Sequence, residues 1–326
     1  MSSRDAGAGT TRVFIAGATG VLGRRLLAQF RSRGHVVVGL ARSDANVRAI
    51  ESLGAEARRA DLFDAASVTR AAAECDVIIR AATAIPKRAR TRRADWEAND
   101  RIRRAGTQAL TAAAANVGAH AFLQESIVWL VRSPDGAPFD EDAPPRPDPM
   151  LVSSLDAEKM AREAGERAGF AAMVLRFGLF YAHDAAHVRA MGDGLLRRRT
   201  PILGDGSALW SLVYVDDAAS AFVAAAETPR SGLWHVVDDR PVRMDEFLRA
   251  FARRLGAREP RRVPVWLARL VVGRLATDFL VSSFPTSNSR FRRDFRWRPS
   301  YPTYAEGLDQ VVSAWKAEGF PAARTP

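Results

Sequence analysis

The chain has 326 residues and a mass of 35.6 kDa, with 47% hydrophobic and 26% charged residues. This balance is typical of a globular protein of about two domains and excludes a mainly disordered or collagen-like chain. A single cysteine, Cys75, excludes a disulfide framework. We see no secretory leader and no run of about 18 uncharged apolar residues. We therefore expect a cytoplasmic protein that crosses no membrane.

Basic residues outnumber acidic ones by 48 to 37, which gives a formal charge of +11. The only lysines are Lys87, Lys159 and Lys316, so arginine carries almost all of the positive charge. Nucleic-acid binding through phosphate contacts is one interpretation. However, the arginines are scattered without the aromatic residues of a nucleic-acid groove, and the run at 87–93 is interpreted as a solvated loop, so we predict no nucleic-acid partner. A positive surface still attracts anionic ligands, including phosphorylated cofactors.

Apolar runs of strand length alternate with helical patterns through the first half of the chain. The predicted strands cover 13–16, 35–40, a run that ends at 60–62, 76–79, a run that starts at 121–124, and 173–175. The predicted helices cover 20–33, 45–53, 65–74, 99–117 and 156–168. This alternation predicts right-handed crossovers and a parallel sheet with helices on both faces.

The second half of the chain is less regular. Its predicted strands cover 210–215 and 233–237, and its predicted helices cover 216–228, 244–255 and 265–275. No internal repeat and no low-complexity linker separates the halves, so we expect the second lobe to interleave with the sheet domain. We assign 10–178 and 210–237 to the sheet domain, and 179–209 and 238–322 to a smaller, mainly C-terminal lobe.

The most specific local signal is the segment GATGVLG at 17–23, which follows the first strand and opens the first helix. Gly17 permits a tight turn, Gly20 lets a pyrophosphate approach the backbone, and Gly23 lets the helix pack against the sheet. The free N–H groups at the helix start attract phosphate. The other predicted cofactor contacts in this turn are Thr19, Val21 and Leu22. The sequence therefore predicts a doubly wound α/β sheet of the Rossmann type that binds a dinucleotide.

The end of the second predicted strand indicates which dinucleotide is bound. An NAD site places an acidic residue there to hold the ribose hydroxyls. Here Ala41 occupies that position and Arg42 follows it. A guanidinium binds a 2′-phosphate with two hydrogen bonds, whereas a carboxylate repels it. We therefore predict NADP(H) as the cofactor.

The ordered set of motifs resembles the extended and atypical short-chain dehydrogenase/reductase superfamily, which contains the NAD-dependent epimerase/dehydratases. The resemblance covers residues 12–312. Its pieces are the turn at 17–23, Asn99 with Gly106 and Thr107, and the segments 176–181, 204–219 and 295–299. It implies further cofactor contacts at Asp61, Leu62, Ala81, Ala82, Thr83 and Phe177. It also implies that the smaller lobe binds the substrate.

The catalytic centre of this superfamily combines a serine or threonine with a Tyr-x-x-x-Lys helix, in which the tyrosine exchanges a proton. The resemblance gives Ser126 and Lys159 catalytic roles and places Lys159 on the cofactor ribose, but Leu155 stands at the tyrosine position. Three interpretations stay open. Lys159 exchanges the proton, or another group such as Ser126, Ser154 or His183 does so, or the redox centre is degraded.

The resemblance implies an NADP(H)-dependent oxidoreductase that reduces a carbonyl group or an activated C=C bond of a small organic substrate. The alternatives are a redox-inactive NADP(H)-binding regulator and a sugar-nucleotide epimerase or dehydratase. Substrate contacts are predicted at Ile85, Trp129 and His183. His183 and His187 are spaced i, i+4 but have no evident third ligand, so we predict no metal site. A homodimer is one expected assembly.

Overall fold

The computed structural model describes residues 9–86, 91–131 and 136–320. Seven parallel strands form its central sheet: β1 Arg12–Ala16, β2 Val36–Ala41, β3 Glu56–Arg59, β4 Val77–Arg80, β5 Ala121–Ile127, β6 Ala171–Phe177 and β11 Gly232–Val236. Their order across the sheet is β11-β6-β5-β4-β1-β2-β3. The predicted doubly wound parallel sheet is confirmed, and the order reverses between β1 and β4.

Helices cover both faces of this sheet. One layer contains α1 Val21–Ser32, α2 Asp44–Glu51 and α8 Val215–Glu227, and the other contains α3 Ala65–Ala71, α5 Thr107–Val117 and α6 Val152–Ala168. Alternate strand residues point to opposite layers, so Val13 and Ile15 of β1 pack in one core and Phe14 packs in the other. Because both faces are buried, the central strands carry continuous apolar runs, such as 13–16 of β1, instead of alternating with polar residues.

Three two-stranded sheets and six further helices make up most of the remaining described fold. The strands pair as β7 Leu179–Tyr181 with β10 Leu212–Tyr214, β8 Ile202–Leu203 with β13 Arg262–Val263, and β9 Leu209–Trp210 with β12 Val242–Arg243. The helices are α7 Ala186–Leu196, α9 Met244–Arg254, α10 Val265–Val271, α11 Arg274–Leu280, α12 Ser289–Phe295 and α13 Tyr304–Ala317. Phe247 and Trp315 of these helices share one apolar cluster with Leu26 of α1. The division into two domains stays a prediction.

Several predicted boundaries are wrong for identifiable reasons. The helix predicted at 265–275 is two helices, α10 and α11, because Gly273 has φ +95° between them. The helix predicted at 99–117 is α4 Glu97–Arg101, a π-helical turn at Ile102–Gly106, and α5. Strand β3 ends at Arg59, before the predicted end at 60–62. No helix among the described residues has the length and apolarity needed to cross a bilayer.

Candidate active site and cofactor cleft

The carboxyl ends of the seven parallel strands lie along one edge of the sheet. In open sheets of this kind, ligands bind outside the point where the strand order reverses. The predicted cofactor segments follow four of these strand ends: 17–23 after β1, Arg42 after β2, Asp61 after β3, and 81–83 after β4. The fold therefore brings all four segments to the same edge.

The glycine turn (residues 17–23) is packed so closely that it requires glycine. Gly17 has φ +98°, and a Cβ there would lie 2.6 Å from the Ala81 carbonyl carbon and the Ala82 nitrogen. A Cβ on Gly23 would lie 2.1 Å from Gly17 O. The Gly20 N–H donates to Gly17 O at 3.0 Å and closes the turn. No side chain stands between this backbone and a phosphate, so the turn fits a dinucleotide.

Helix α1 begins directly after the turn and leaves backbone donors available. It has 12 residues, no side-chain cap from any described residue, and no acidic residue in its first turn. Its first N–H groups therefore attract a phosphate, as does the positive end of its dipole. Leu22 is buried in the core, and the Thr19 hydroxyl accepts a hydrogen bond from Asn46 Nδ2 at 3.4 Å.

A positively charged cleft of about 440 Å³ lies at the ends of β2 and β3. We call it the arginine cleft; it is lined by Ala41, Arg42, Arg59, Ala60, Asp61 and Ser67. Arg59 was not assigned from the sequence, but the β2–β3 register pairs it with Ala41, directly before Arg42. Asp44 forms an ion pair with Arg59. Two guanidinium groups therefore lie at the position where an NAD-binding sheet carries a carboxylate.

Asp61 and Leu62 have opposite environments. Asp61 is exposed, and its Oδ1 accepts a hydrogen bond from the Phe63 N–H at 2.9 Å. Leu62 is 5% exposed, and a Cβ added to Gly106 would lie 3.3 Å from its Cδ2. The Leu62 side chain therefore packs under the π-helical turn, and only Asp61 of the two lines the arginine cleft.

The remaining predicted cofactor contacts also differ in exposure. Ala81 and Ala82 are half-buried and Thr83 is exposed. Phe177 is 1% exposed and stacks on Phe222, with 5.2 Å between the ring centroids. The Phe177 side chain is therefore part of the core, and its contact with the cofactor stays a prediction.

The structure places the Lys159 side chain at the surface of α6. Its side chain is 70% exposed, and its Nζ lies 3.7 Å from Glu163 Oε1. The preceding residue, Glu158, is fully buried on the inner face of α6. Successive residues of a helix point about 100° apart, so a shift of one residue turns Lys159 to solvent and Glu158 to the sheet. The catalytic and ribose-binding roles of Lys159 stay predictions, and its side chain points to solvent in this structure.

Ser126, Glu158 and Arg176 form a buried group at the ends of β5 and β6. Ser126 Oγ donates to Glu158 Oε1 at 2.5 Å. Arg176 donates to both carboxylate oxygens, through Nε at 2.8 Å and Nη2 at 2.7 Å. The β5–β6 register places Ser126 opposite Arg176. The two-bond ion pair fixes the carboxylate in the interior, where an unpaired charge would be strongly destabilising.

Ser154 lies one helical turn before Glu158 on the same buried face of α6. Its Oγ is buried and has no hydrogen-bond partner among the described residues. Ser154 and Glu158 thus have the i, i+4 spacing of the tyrosine and lysine in the superfamily's motif. All four tyrosines of the chain lie outside α6. The site consequently offers hydroxyls and a paired carboxylate.

The three predicted substrate contacts lie in different environments. Trp129 follows Ser126 closely, and its ring centroid is 5.5 Å from that of Phe279. Ile85 is 62% exposed. His183 lies against α13, where its carbonyl accepts a hydrogen bond from Trp315 Nε1 at 2.6 Å. Of the three, Trp129 is the residue that the chain places beside Ser126.

The two remaining local signals are the histidine pair and the basic run. The pair His183 and His187 is spaced for a metal, but His187 Nε2 lies 2.8 Å from the Phe180 carbonyl oxygen. Across 9–86, 91–131 and 136–320, no group of three or more His, Cys, Asp or Glu side chains is arranged to hold a metal ion. Residues 87–90 of the basic run lie outside the described residues.

The family model for the NAD dependent epimerase/dehydratase family matches residues 13–236 of the chain. The match covers more than half of the sequence, so the chain belongs to this family. It is an NAD(P)-dependent enzyme of the short-chain dehydrogenase/reductase type, as the motifs predicted.

Two curated relatives and two solved structures are similar to the chain over most of its length. A 3-diazoavenalumate denitrifying reductase of a Streptomyces species is 34% identical over 91% of this chain and 99% of that protein. A 4-hydroxy-2-methyl-3-oxo-4-farnesyl-3,4-dihydroquinoline-1-oxide ketoreductase of Stigmatella aurantiaca is 27% identical over 94% of this chain and 97% of that protein.

Among solved structures, the human epimerase family protein SDR39U1 with NADPH has a TM-score of 0.79 at 19% identity, and the match covers 93% of this chain and 99% of that one. The UDP-glucose 4-epimerase of Thermus thermophilus in complex with NAD has a TM-score of 0.73 at 22% identity, over 94% and 99% of the two chains. These two likenesses concern the fold.

We expect Gly23→Ala to abolish cofactor binding, although alanine favours a helix by about 1 kcal/mol over glycine. The added Cβ would lie 2.1 Å from Gly17 O and would displace the glycine turn. Titration calorimetry with NADPH and NADH measures the loss.

Gly34→Ala is the control for this substitution. Its φ is +84°, but its Cβ would meet nothing within 4 Å. It should unfold at a lower temperature and still bind the cofactor as the native chain does. Native-like binding by Gly23→Ala would contradict the role assigned to the turn.

Proposed function

We propose that the protein is an NADP(H)-dependent reductase that transfers a hydride to a small organic electrophile. The observation that carries this proposal is the arginine cleft beside the glycine turn, with Arg42 and Arg59 in its wall. Two similar proteins are named as reductases, which supports reduction of the substrate by the cofactor over its oxidation. A reduced nicotinamide supplies a hydride when it is bound.

The preference for the phosphorylated cofactor rests on donor chemistry. Each guanidinium offers planar N–H donors that match phosphate oxygens. Arg59 already pairs with Asp44, but the two side chains are 55% and 76% exposed, so the pair is weak and a phosphate can displace the carboxylate. Ala41 stands where an NAD-binding sheet carries an acidic residue. No carboxylate at position 41 therefore holds the hydroxyls of an unphosphorylated ribose.

The Ser126–Glu158–Arg176 group positions hydroxyl groups and does not replace the missing tyrosine as an acid. Glu158 has its two oxygens bound by Arg176 and accepts the Ser126 proton as well. The remaining lone pairs of Glu158 and Ser126 can accept hydrogen bonds from ribose or substrate hydroxyls. Lys159 has no part in this scheme, because its side chain is in solvent.

This arrangement favours electrophiles whose reduction needs little proton donation. A diazonium group that accepts a hydride gives a diazene, which loses dinitrogen: R–N₂⁺ + H⁻ → R–H + N₂, with no proton taken up. A ketone becomes an alkoxide and needs a proton, and an activated C=C bond becomes a stabilised carbanion that water can protonate. Diazonium, carbonyl and activated C=C compounds are the substrate classes we propose, and we expect carbonyl compounds to react most slowly because they alone need a positioned proton donor.

Arg42→Ala and Arg59→Ala should each weaken NADPH binding about 10- to 100-fold, since a hydrogen bond to a charged group is worth about 1.5–3 kcal/mol. NADH binding should stay unchanged, because the lost partner is the 2′-phosphate. Calorimetric titration of each variant with both cofactors measures the difference.

Arg48→Ala is the matched control, because it removes an exposed arginine of α2 that does not line the arginine cleft. Its affinities for both cofactors should equal those of the native chain. Asp44→Asn should strengthen NADPH binding, since it frees Arg59. An equal loss of NADPH and NADH affinity in Arg42→Ala would refute the phosphate contact.

Ser126→Ala should slow the reduction of ketones and of arenediazonium ions by similar factors, because Ser126 orients hydroxyl groups and donates its own proton to Glu158. A much larger loss for the ketone would show instead that Ser126 is a proton donor, since a positioned donor contributes about 10²–10⁴ in rate. The consumption of NADPH, corrected for the reaction without enzyme, measures both rates.

Lys159→Ala is the control, and it should leave both rates unchanged because the Lys159 side chain is exposed. A large loss in Lys159→Ala would restore the catalytic role that the sequence motif implied. Tight NADPH binding without turnover of any of the three classes would instead favour the redox-inactive regulator.

A further inference from the structure

A cluster of buried donors near the end of β4 is not used by the scheme above. We call Arg80, Trp96, Asn99 and Arg103 the donor cluster. Within the described part of the chain, no hydrogen-bond partner exists for Arg80 Nε and Nη2, Trp96 Nε1, Asn99 Nδ2 or Arg103 Nη1. Arg80 is 1% exposed and Arg103 is 6% exposed. Buried donors without acceptors are destabilising, and native proteins rarely keep several of them together.

The contacts of Arg80, Asn99 and Arg103 place these three members at the edge of the sheet where the reaction is proposed to occur. Arg80 is the last residue of β4, and its Nη1 donates to Glu125 Oε2 at 2.9 Å. Glu125 directly precedes Ser126. Asn99 Oδ1 accepts a hydrogen bond from the Ala84 N–H at 2.9 Å, just beyond the β4 end. Arg103 interacts electrostatically with Arg80 and Glu125.

The carboxylates around Arg103 do not satisfy it. Glu125 already pairs with Arg80. Asp100 accepts hydrogen bonds from Ser153 Oγ at 2.6 Å and Arg93 Nη2 at 3.3 Å. Burial lowers the pKa of Arg103 to about 10, so its surroundings disfavour the charged form. Arg103 is therefore a buried cation that lacks a dedicated acceptor.

The backbone that carries Arg103 is also unusual. Ile102–Gly106 is a π-helical turn between α4 and α5. Such turns are rare and occur mostly at functional sites. The wider turn changes the angular position of Arg103 relative to α5. The departure from a regular helix therefore includes Arg103, whose Nη1 has no hydrogen-bond partner among the described residues.

We propose that the donor cluster binds a carboxylate group of the substrate, with Arg80 and Arg103 as its charged partners. The unpaired polar atoms of these four side chains are all N–H donors, so the complementary ligand is an acceptor, and a planar carboxylate matches the guanidinium fork. Because Glu125 links the cluster to Ser126, the bound anion orients the rest of the substrate toward the reacting end of the site. This proposal rests on the proposed function.

Binding of simple carboxylates tests the proposal without turnover. Benzoate and cinnamate, and the amides of both, are titrated calorimetrically into the native protein with and without NADP⁺. We expect at least one carboxylate to bind about 10-fold or more tightly than its amide, because only the anion gains the charged hydrogen bonds. Equal affinities of acid and amide in both pairs would overturn the proposal.

Arg103→Met should remove this discrimination and leave the fold intact. The substitution exchanges an unpaired buried cation for an apolar side chain, so the unfolding temperature should not fall. Arg104→Met is the control, since Arg104 is 40% exposed and pairs with Asp156; it should bind carboxylates as the native protein does. Unchanged carboxylate binding in Arg103→Met, or a marked fall in its unfolding temperature, would make Arg103 a structural residue.

Failure of this proposal and failure of the proposed function give different results. If the function is wrong, the native protein oxidises no NADPH with any of the three substrate classes. If only the carboxylate site is wrong, turnover is observed, but acids and amides of the same electrophile have equal KM values in the native protein and in Arg103→Met.

Discussion

The close approach of three backbone segments at the start of α1 is the constraint on which the rest of the site depends. Gly17 lies against the Ala81–Ala82 peptide, and Gly23 lies against the carbonyl of Gly17, so that neither position has room for a Cβ. This packing holds the β1 and β4 ends together at the point where the strand order reverses. The ends of β2, β3 and β5 are then fixed by the parallel register, which brings the arginine cleft and Ser126 to the same edge.

The site also buries two ion pairs at the edge of the sheet. Glu158 with Arg176, and Glu125 with Arg80, are ion pairs in the interior at the sheet edge. Buried pairs seldom add stability over apolar residues of similar size, because the desolvation of two charges offsets their attraction. Their position at the carboxyl ends of β4, β5 and β6 is therefore better explained by ligand recognition than by stability. The orphaned donors of Arg80 and Arg103 fit the same explanation.

Hydrophobic patterning predicted the central sheet because strands buried on both faces carry continuous apolar runs, as in 13–16 of β1 and 77–79 of β4. The edge strand β3, with the sequence EARR, has no such pattern. Its end was misplaced for that reason, and Arg59 was not recognised as a neighbour of Arg42. The π-helical turn that carries Arg103 has no sequence signature, since only the local packing selects it over a regular helix.

The direction in which the Lys159 side chain points could not be predicted from the motif. The motif matches Lys159 by residue type, but the register of α6 decides which side chain points to the sheet. The side chain that points to the sheet is that of Glu158, one position earlier. Ala157, Ala161 and Gly165 mark the buried face of α6, and Glu158 shares that face. The spacing of these small residues would have predicted that the Glu158 side chain points inward and the Lys159 side chain points outward. It would not have revealed the partner Arg176, because that contact depends on the pairing of β5 with β6.

The most direct test of this account is a calorimetric titration of the native protein with NADPH and with NADH under the same conditions. The arrangement of the glycine turn, Arg42 and Arg59 predicts that NADPH binds at least about 10-fold more tightly than NADH, since the 2′-phosphate gains charged hydrogen bonds. Binding of neither cofactor to the folded protein, or a preference for NADH, would contradict the account.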